Sequence, residues 1–539
     1  MLDAATDEFP DRPLVITDDV TYSYRDIQDW SKRVAHGLTS SGVQPGEHVA
    51  TVLGNHPEFV AVKFGIARAG AVAVPINFLN RRDELGYVIE QSDAVALITM
   101  DQFRGLDYLS ALDELAPGWE KCGGGDRFPM LRHVYVFSAE GNGRVGAASL
   151  EELATTSDGW VPVDGFGPDS PSDILYTSGT TGTPKGVVLT HDMFMRTAYG
   201  SAYGRAFEDA RRISFSLPMY HVYGYVEGLL AALFVGGAII PQLNFDPVAT
   251  LDSIVEHEAT DVLLVPIMTQ AVIKAARAGD YDLSTLTSII SSGGASPPGI
   301  WDELVDVFGS VEITTGYGMS ETTASTTVTR MDDTVEKLRT TNGRLRDVGV
   351  AGDPGNGGRL CIYRVVDPAT GQELPRGEVG ELMVRGIGVT SGYYNKPEET
   401  AASFDADGWL RTGDLGTLDD DDYITLAGRR KECYRCGAEQ VMPAEVEAVL
   451  TLHPHVDQAY VVPVLDERMG EAGLAWIVPA GGADVDQDEL IAYCAERLAR
   501  FKVPKYVRRI EAEQVPLTPS GRPRKFLLAE RAAEELGLR

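Results

Sequence analysis

The sequence predicts an α/β fold on three observations. Segments with helical apolar spacing alternate with short β-branched runs, several of those runs end in glycine, and 539 residues exceed one ordinary hydrophobic core. The expected architecture is a large N-terminal domain of two αβ subdomains plus a small β subdomain, followed by a smaller α+β C-terminal domain.

Each element carries its own signal. PEFVAVKFGIARAG (Pro57 to Gly70) has helical spacing and feeds AVAVPIN (Ala71 to Asn77), a buried strand. The rhythm returns from Asp173 to about Thr315, where DVLLVPI (Asp261 to Ile267) and LTSIISSGG (Leu286 to Gly294) read as parallel strands. In open parallel sheets the C-terminal strand ends form the ligand crevice, so function is expected there. From about Met331 to Leu426 glycine-punctuated strands such as GRLCIYRVV and GEVGELMVRG replace the helical patterns. After Gly428 an αβ series resumes with PAEVEAVLTLH, QAYVVPVL, LAWIVPA and DELIAYCAERLARF. The boundaries that follow are residues 1–430 for the large domain, divided at about 170 and 330, and 431–539 for the small one. The longest apolar stretch, Gly228 to Pro241, is too short and glycine-rich for a membrane span and reads as a core helix running into a strand.

The net charge of -32 argues against a nucleic-acid partner held by bulk electrostatics. Any anionic small ligand has to be gripped by local cations and backbone N–H groups. Five cysteines in a chain this long form no disulfide framework, and the acidic N-terminus lacks an apolar leader, so a reducing, cytoplasmic setting is expected. Cys433 and Cys436 make a CxxC, but the only nearby candidates for a second ligand pair are His453 and His455, which disfavours zinc.

The most informative run is YTSGTTGTPKGVVLTH, Tyr176 to His191. Glycines allow close backbone approach to an anion, hydroxyls and N–H groups donate to phosphate oxygens, and Lys185 adds a mobile charge. A helix-compatible stretch is expected after the lysine. The run is not a Walker loop, because Gly186 follows the lysine where Ser or Thr is required. It resembles the signature loop of the ANL superfamily of adenylate-forming enzymes: acyl-CoA synthetases, peptide-synthetase adenylation domains and firefly-type luciferases.

The family's other motifs follow in order: SGGAS (Ser292 to Ser296), TGYGMSE (Thr315 to Glu321), WLRTGD (Trp409 to Asp414) and GRRKE (Gly428 to Glu432). The resemblance implies a nucleotide site built from Thr177, Ser178, Gly179, Thr180, Thr181, Gly182, Lys185, Gly294, Ala295, Ser296, Thr315, Gly316, Tyr317, Gly318, Met319, Ser320, Asp414 and Arg429. It further implies that Tyr317 packs on adenine, Asp414 accepts from the ribose hydroxyls, Glu321 with Thr181 serves magnesium, and Lys431 is the hinge of a mobile C-terminal domain. Implied cofactors are ATP (or acyl-AMP), Mg2+ and coenzyme A.

Family members that activate amino acids usually carry an aspartate in the segment corresponding to LPMYHVYG, and its absence here implies a non-amino carboxylic acid. Its pocket is expected from Tyr220, His221, Tyr223, Gly293 and Thr314, and His221 resembles the gating histidine or aromatic of acyl- and aryl-CoA ligases. The tyrosines suggest a medium to bulky apolar or aromatic acid. The implied activity is acyl-CoA ligation through acyl-AMP, with Lys185, Glu321, Arg522 and His221 as catalytic candidates.

Two departures matter. The C-terminal motif PSGRPRK puts Arg522 where the family has its adenylation lysine, and RCGAEQV puts Ala438 after Gly437 in the loop that faces coenzyme A in relatives. Arginine keeps the charge but exchanges a point donor for a planar fork. Two alternatives therefore stand beside the complete ligase: an enzyme that only thioesterifies an acyl-adenylate made by a separate adenylating partner, and a non-catalytic nucleotide-binding homologue. Thr315 in place of a frequent glutamine and Asp422 in place of a turn glycine are smaller changes.

Overall fold

The computed structural model describes residues 1–538 apart from 142, 156–160, 178–183, 295, 297–298, 310, 437–438, 467, 484–485 and 519–520. Two seven-stranded sheets dominate the large domain. One runs Lys185–Thr190, Pro171–Thr177, Val72–Pro75, His48–Val52, Ala94–Met100, His133–Phe137, Ala148–Ser149. The other runs Glu312–Thr314, Ser288–Ser291, Asp261–Leu264, Arg212–Phe215, Ala238–Pro241, Pro13–Ile16, Thr21–Ser23. Both are parallel apart from one antiparallel edge strand each. Ala238–Pro241, Asp261–Leu264 and Ser288–Ser291 are buried at every residue, as continuous apolar runs covered on both faces should be.

The sheets are not contiguous in sequence. Pro13–Ser23 pairs into the second sheet, while Pro171–Thr190 closes the edge of the first. A division near residue 170 thus separates chain segments, not sheets. One apolar core runs through both.

The stretch after Lys185 is a strand, Lys185–Thr190, antiparallel to Pro171–Thr177, and not the helical stretch that the sequence suggested. Val187 and Leu189 alternate inward and are fully buried, which gives GVVLT a two-residue period. The helix starts only at His191, where the Thr190 side chain accepts from Met193 N–H. In the Gly228 to Pro241 region a π-helix, Tyr223–Leu230, runs through Ala231–Leu233 towards the strand Ala238–Pro241. Gly224 and Gly228 let this helix lie against the second sheet: a Cβ at Gly224 would meet Leu217 O at 2.6 Å, and one at Gly228 would meet Phe215 Cε1 at 2.7 Å.

Four antiparallel strands, Cys361–Val366, Gly380–Gly386, Leu410–Leu418 and Ile424–Arg429, form the β-rich part, with its own core. Beyond it a five-stranded sheet built on the hairpin Val456–Asp466 and Gly470–Pro479 packs against Pro443–Leu450, Gln487–Ala495 and Lys525–Glu535. Its two apolar clusters contain no residue of the large domain, in keeping with a small α+β unit. Among the described residues no helix is long and apolar enough to cross a membrane.

Candidate active site

The strand ends converge as the α/β pattern demands. Ser288–Ser291 runs into Ser292, whose Oγ donates to Gly316 O at 2.6 Å and ties the SGGAS segment to TGYGMSE. Gly316–Met319 pairs with Ala324–Val328 so closely that a Cβ at Gly318 would sit 1.8 Å from Ala324 O. Glycine is obligatory there.

Tyr317 is buried, and its hydroxyl donates to Asp414 Oδ2 at 2.6 Å. Asp414 lies opposite Arg429 in the antiparallel pair, with Arg429 Nε 3.2 Å from Asp414 Oδ1. Three of the sequence's nucleotide candidates are thereby joined in one chain of contacts. Glu321 is buried nearby; its Oε1 accepts from Tyr393 O–H at 3.0 Å, and its carbonyl accepts from Thr390 N–H at 2.8 Å. Burial, with the Asp414 charge adding to it, pushes its carboxyl above the usual carboxylate range. Lys185, paired in register with Thr177, holds Nζ 4.7 Å from the centre of the same Tyr393 ring. Burial and the Lys185 charge push the Lys431 ammonium down. Ser178 to Gly182, Ala295, Gly437 and Ala438 lie outside the described residues.

Arg522 reaches this crevice from the small domain. Its Nε donates to Gly293 O at 2.7 Å, while its backbone N–H donates to Thr518 Oγ1 at 3.0 Å and its carbonyl accepts from Thr518 N–H at 2.7 Å. Gly521, at φ +74°, fits the loop against the large domain: a Cβ there would come within 3.1 Å of Val265 Cγ2. Burial, then Arg429, depresses the Arg522 guanidinium, with Asp414 opposing them. Burial chiefly, and Arg522 next, brings the His221 imidazole down to about 4, so the ring is neutral at neutral pH.

The acyl-side residues divide. Tyr220 packs edge-on to Phe78 at 5.2 Å, and Phe78 to Phe103 at 5.0 Å, an aromatic wall. Tyr223 is a floor: its hydroxyl donates to Leu264 O at 3.0 Å at a strand end, and its ring lies beneath Gly293. Thr314 is buried with no partner for its Oγ1 among the described residues.

Sequence reasoning missed Asn55 and Tyr393. Buried Asn55 donates from Nδ2 to Leu217 O at 3.0 Å and Gln242 O at 3.1 Å and accepts at Oδ1 from Met219 N–H at 2.9 Å. It thus fixes the backbone leading into Tyr220 and His221 from the other subdomain. Its only signal was an asparagine between a strand and a helix-starting proline. Tyr393 had none.

Among the described residues neither CxxC thiol falls in a group of three or more side chains placed to share a metal ion. Cys433 Sγ donates to Arg429 O at 3.3 Å, and the nearby cluster is His453, His455 and Glu489, without either thiol. His453 Nδ1 accepts from His455 N–H, which puts the ring proton on Nε2, 3.3 Å from Glu489 Oε1.

Comparison with known proteins agrees with the geometry. The AMP-binding enzyme family model matches residues 2–394, and the model of the AMP-binding enzyme C-terminal domain matches residues 445–522. The chain belongs to the AMP-binding enzyme family, in the acyl-CoA ligase branch of the ANL superfamily. YngI of Bacillus subtilis (strain 168), provisionally named an acyl-CoA synthetase, is 35% identical over 100% of this chain and 97% of its own length. The 4-coumarate–CoA ligase 2 of Solanum tuberosum is 33% identical over 98% of this chain and 92% of its own. The crystal structure of ATP-bound MatB from Rhodopseudomonas palustris superposes with a TM-score of 0.84 at 26% identity, covering 98% of each chain. The ANL fold thus accounts for both domains, and an acyl-CoA ligase activity for the family.

Proposed function

We propose that the protein is a complete two-step acyl-CoA ligase in which Arg522 serves as the adenylation cation. The observation that carries this reading is the Arg522 Nε to Gly293 O bond, which places the guanidinium beside His221 and near Asp414, Arg429 and Glu321. A charge held there faces the place where an acid carboxylate meets the α-phosphate.

In the first half-reaction the acid carboxylate attacks the α-phosphorus of ATP, the bond to pyrophosphate breaks, and acyl-AMP forms. Arg522 and Lys185 offset the charge that collects on the phosphate oxygens. Asp414 is placed to accept from ribose hydroxyls, with Tyr317 and Arg429 fixing it. Glu321 fits magnesium, since a buried carboxylate held above its ordinary pKa gains from a hard divalent cation. When bound, that ion supplies charge neutralisation of the triphosphate. In the second half-reaction the coenzyme A thiol attacks the acyl carbon and AMP leaves.

The acid is proposed to be aromatic or bulky and apolar. The Tyr220–Phe78–Phe103 wall supports that class, as does the likeness to a 4-coumarate ligase. The thioesterification-only reading rests on the residue type at 522, a planar guanidinium fork where the family has a point-donor lysine. Pyrophosphate release with ATP and a panel of such acids decides between them. Rapid release establishes the two-step ligase. Its absence, with thioester formed from synthetic acyl-AMP and coenzyme A, establishes the alternative, and binding of ATP without either half-reaction would leave a non-catalytic homologue.

A further inference from the structure

One fully buried carboxylate, Glu227 on the π-helix Tyr223–Leu230, has no part in the chemistry above. A charge at such a place has to be both paired and hydrogen-bonded. Its Oε2 accepts from Arg346 Nη2 at 3.0 Å and from Ser201 Oγ at 2.5 Å, and its Oε1 accepts from the backbone N–H of Ser325 at 3.3 Å. Burial alone would raise its pKa; Arg346 and Arg205 bring it down to about 2, so it is ionised at neutral pH.

The partners belong to different elements. Ser201 is on the helix His191–Gly204, and Ser325 is on the strand Ala324–Val328. Arg346 is bonded to that same strand through its own N–H, which donates to Thr326 O at 2.9 Å. The π-helix that begins at Tyr223 is therefore fastened twice to the strand that backs Tyr317.

Between Glu321 and Ser325 the backbone is strained. Thr323 has φ +65° and Ala324 has φ +153°, values that side-chain-bearing residues rarely adopt. Such a turn persists only where its surroundings hold it. On one flank Thr323 Oγ1 donates to Gly388 O at 2.8 Å; on the other the anchor is the Ser325 to Glu227 bond.

We propose that Glu227, paired with Arg346, is a positioning residue that holds the strained turn bearing Glu321 against the acyl-side helix, and thereby sets how much magnesium tightens nucleotide binding. The proposal rests on the reading of Glu321 as the magnesium-side carboxylate. Without the anchor the turn relaxes and the Glu321 carboxylate leaves its place, while Asp414, on the strand Leu410–Leu418, keeps its own and holds Tyr317 through their hydrogen bond.

The test is calorimetric titration of the full chain with ATP, with and without magnesium, for wild type, E227Q, E321Q and the double variant E227L/R346L. E227Q keeps the shape and removes the charge; the double variant removes both members of the Glu227–Arg346 pair, and buried Arg205 keeps its bonds to Ser201 and to the backbone carbonyl of residue 227. Expected in both Glu227 variants is a loss of the magnesium-dependent gain in affinity by about tenfold, with magnesium-free ATP affinity unchanged within about twofold. The proposal is overturned if that gain is intact in both, or if affinity falls by the same factor with and without magnesium. E321Q separates the two failures. If the gain survives E321Q, the assignment of Glu321 falls and this inference falls with it; if E321Q abolishes the gain and the Glu227 variants do not, only Glu227 is misassigned.

Discussion

Arg522 donates across the domain boundary to Gly293 O, whereas Lys525, three residues on, ion-pairs with Glu447 at 2.8 Å and Glu432 at 3.0 Å beside its own domain. The two cations come from one short segment and meet opposite surroundings. Burial alone would push the Lys525 ammonium down, and the two carboxylates hold it above the ordinary lysine value. Arg522 is depressed by burial and by Arg429. A cation neutralised by its own fold is structural, and one pressed against other cations is poised for an anionic substrate. Lys525 therefore does not stand in for the lysine that the motif lacks.

The largest expected effect breaks that contrast at Arg522. R522A should cut acid-dependent pyrophosphate exchange on the order of 10²- to 10³-fold, the usual cost of one lost charge-stabilising donor. Thioester formation from supplied acyl-AMP should change by no more than about threefold, because the cation acts on the first half-reaction. R522K should retain more exchange than R522A, since it keeps the charge and loses the Gly293 bond. Equal loss in both half-reactions would show that Arg522 holds the domains together and does not act on phosphate.

The next effect tests Lys525. K525M leaves half-buried Glu447 without its cation and should destabilise the protein by about 3 kcal/mol at neutral pH, read from thermal or denaturant unfolding. The sign of its pH dependence follows from Glu447, whose carboxyl burial already holds above its unfolded value. A raised folded pKa gives stability that is present below the unfolded pKa and lost as pH rises through the folded one. Removing Lys525 raises that pKa further, so the deficit of K525M should shrink as pH falls towards the carboxylate range. A deficit independent of pH would mean that lost packing, and not the carboxylate, is responsible.

How much of this was legible beforehand differs by region. Asp261–Leu264 and Ser288–Ser291 were readable because parallel strands buried on both faces leave unbroken apolar runs. Lys185, Tyr317, Glu321, Asp414 and Arg429 could be listed together because their motifs are local, and the structure joins them through Tyr393 and the Asp414 pairings. The strand after Lys185 was misread, because a five-residue apolar run fits either period until its neighbour is known. Asn55–Met219, Tyr393–Glu321 and Glu227–Arg346 each join residues more than 70 positions apart, and no local pattern announces such a pairing. The membership of Pro13–Ser23 in the second sheet was hidden for the same reason.

A smaller effect asks whether the face that Arg522 enters is preformed. Asn55 donates to the Leu217 and Gln242 carbonyls and accepts from the Met219 N–H. N55D would set a carboxylate oxygen against two carbonyls. It should raise KM for the acid about tenfold, or roughly 1.4 kcal/mol, with KM for ATP little changed. Equal rises in both constants would show that the loop serves the whole crevice.

The smallest effect returns to the contrast between the two cations through His221. Burial and then the Arg522 charge hold its imidazole at about 4, so it stays neutral across the range from about pH 6 to pH 9 and adds no inflection to the rate there. Protonation would set in only as pH falls through that value. In R522A one of the two causes is gone and the imidazole pKa should rise, while in K525M the charge removed is already balanced by Glu447 and Glu432 and the pKa should stay put. Titration of the His221 ring by NMR in the three proteins reads this directly. A shift in K525M as large as that in R522A would mean that the lysine's field reaches the crevice and that its two carboxylates do not contain it.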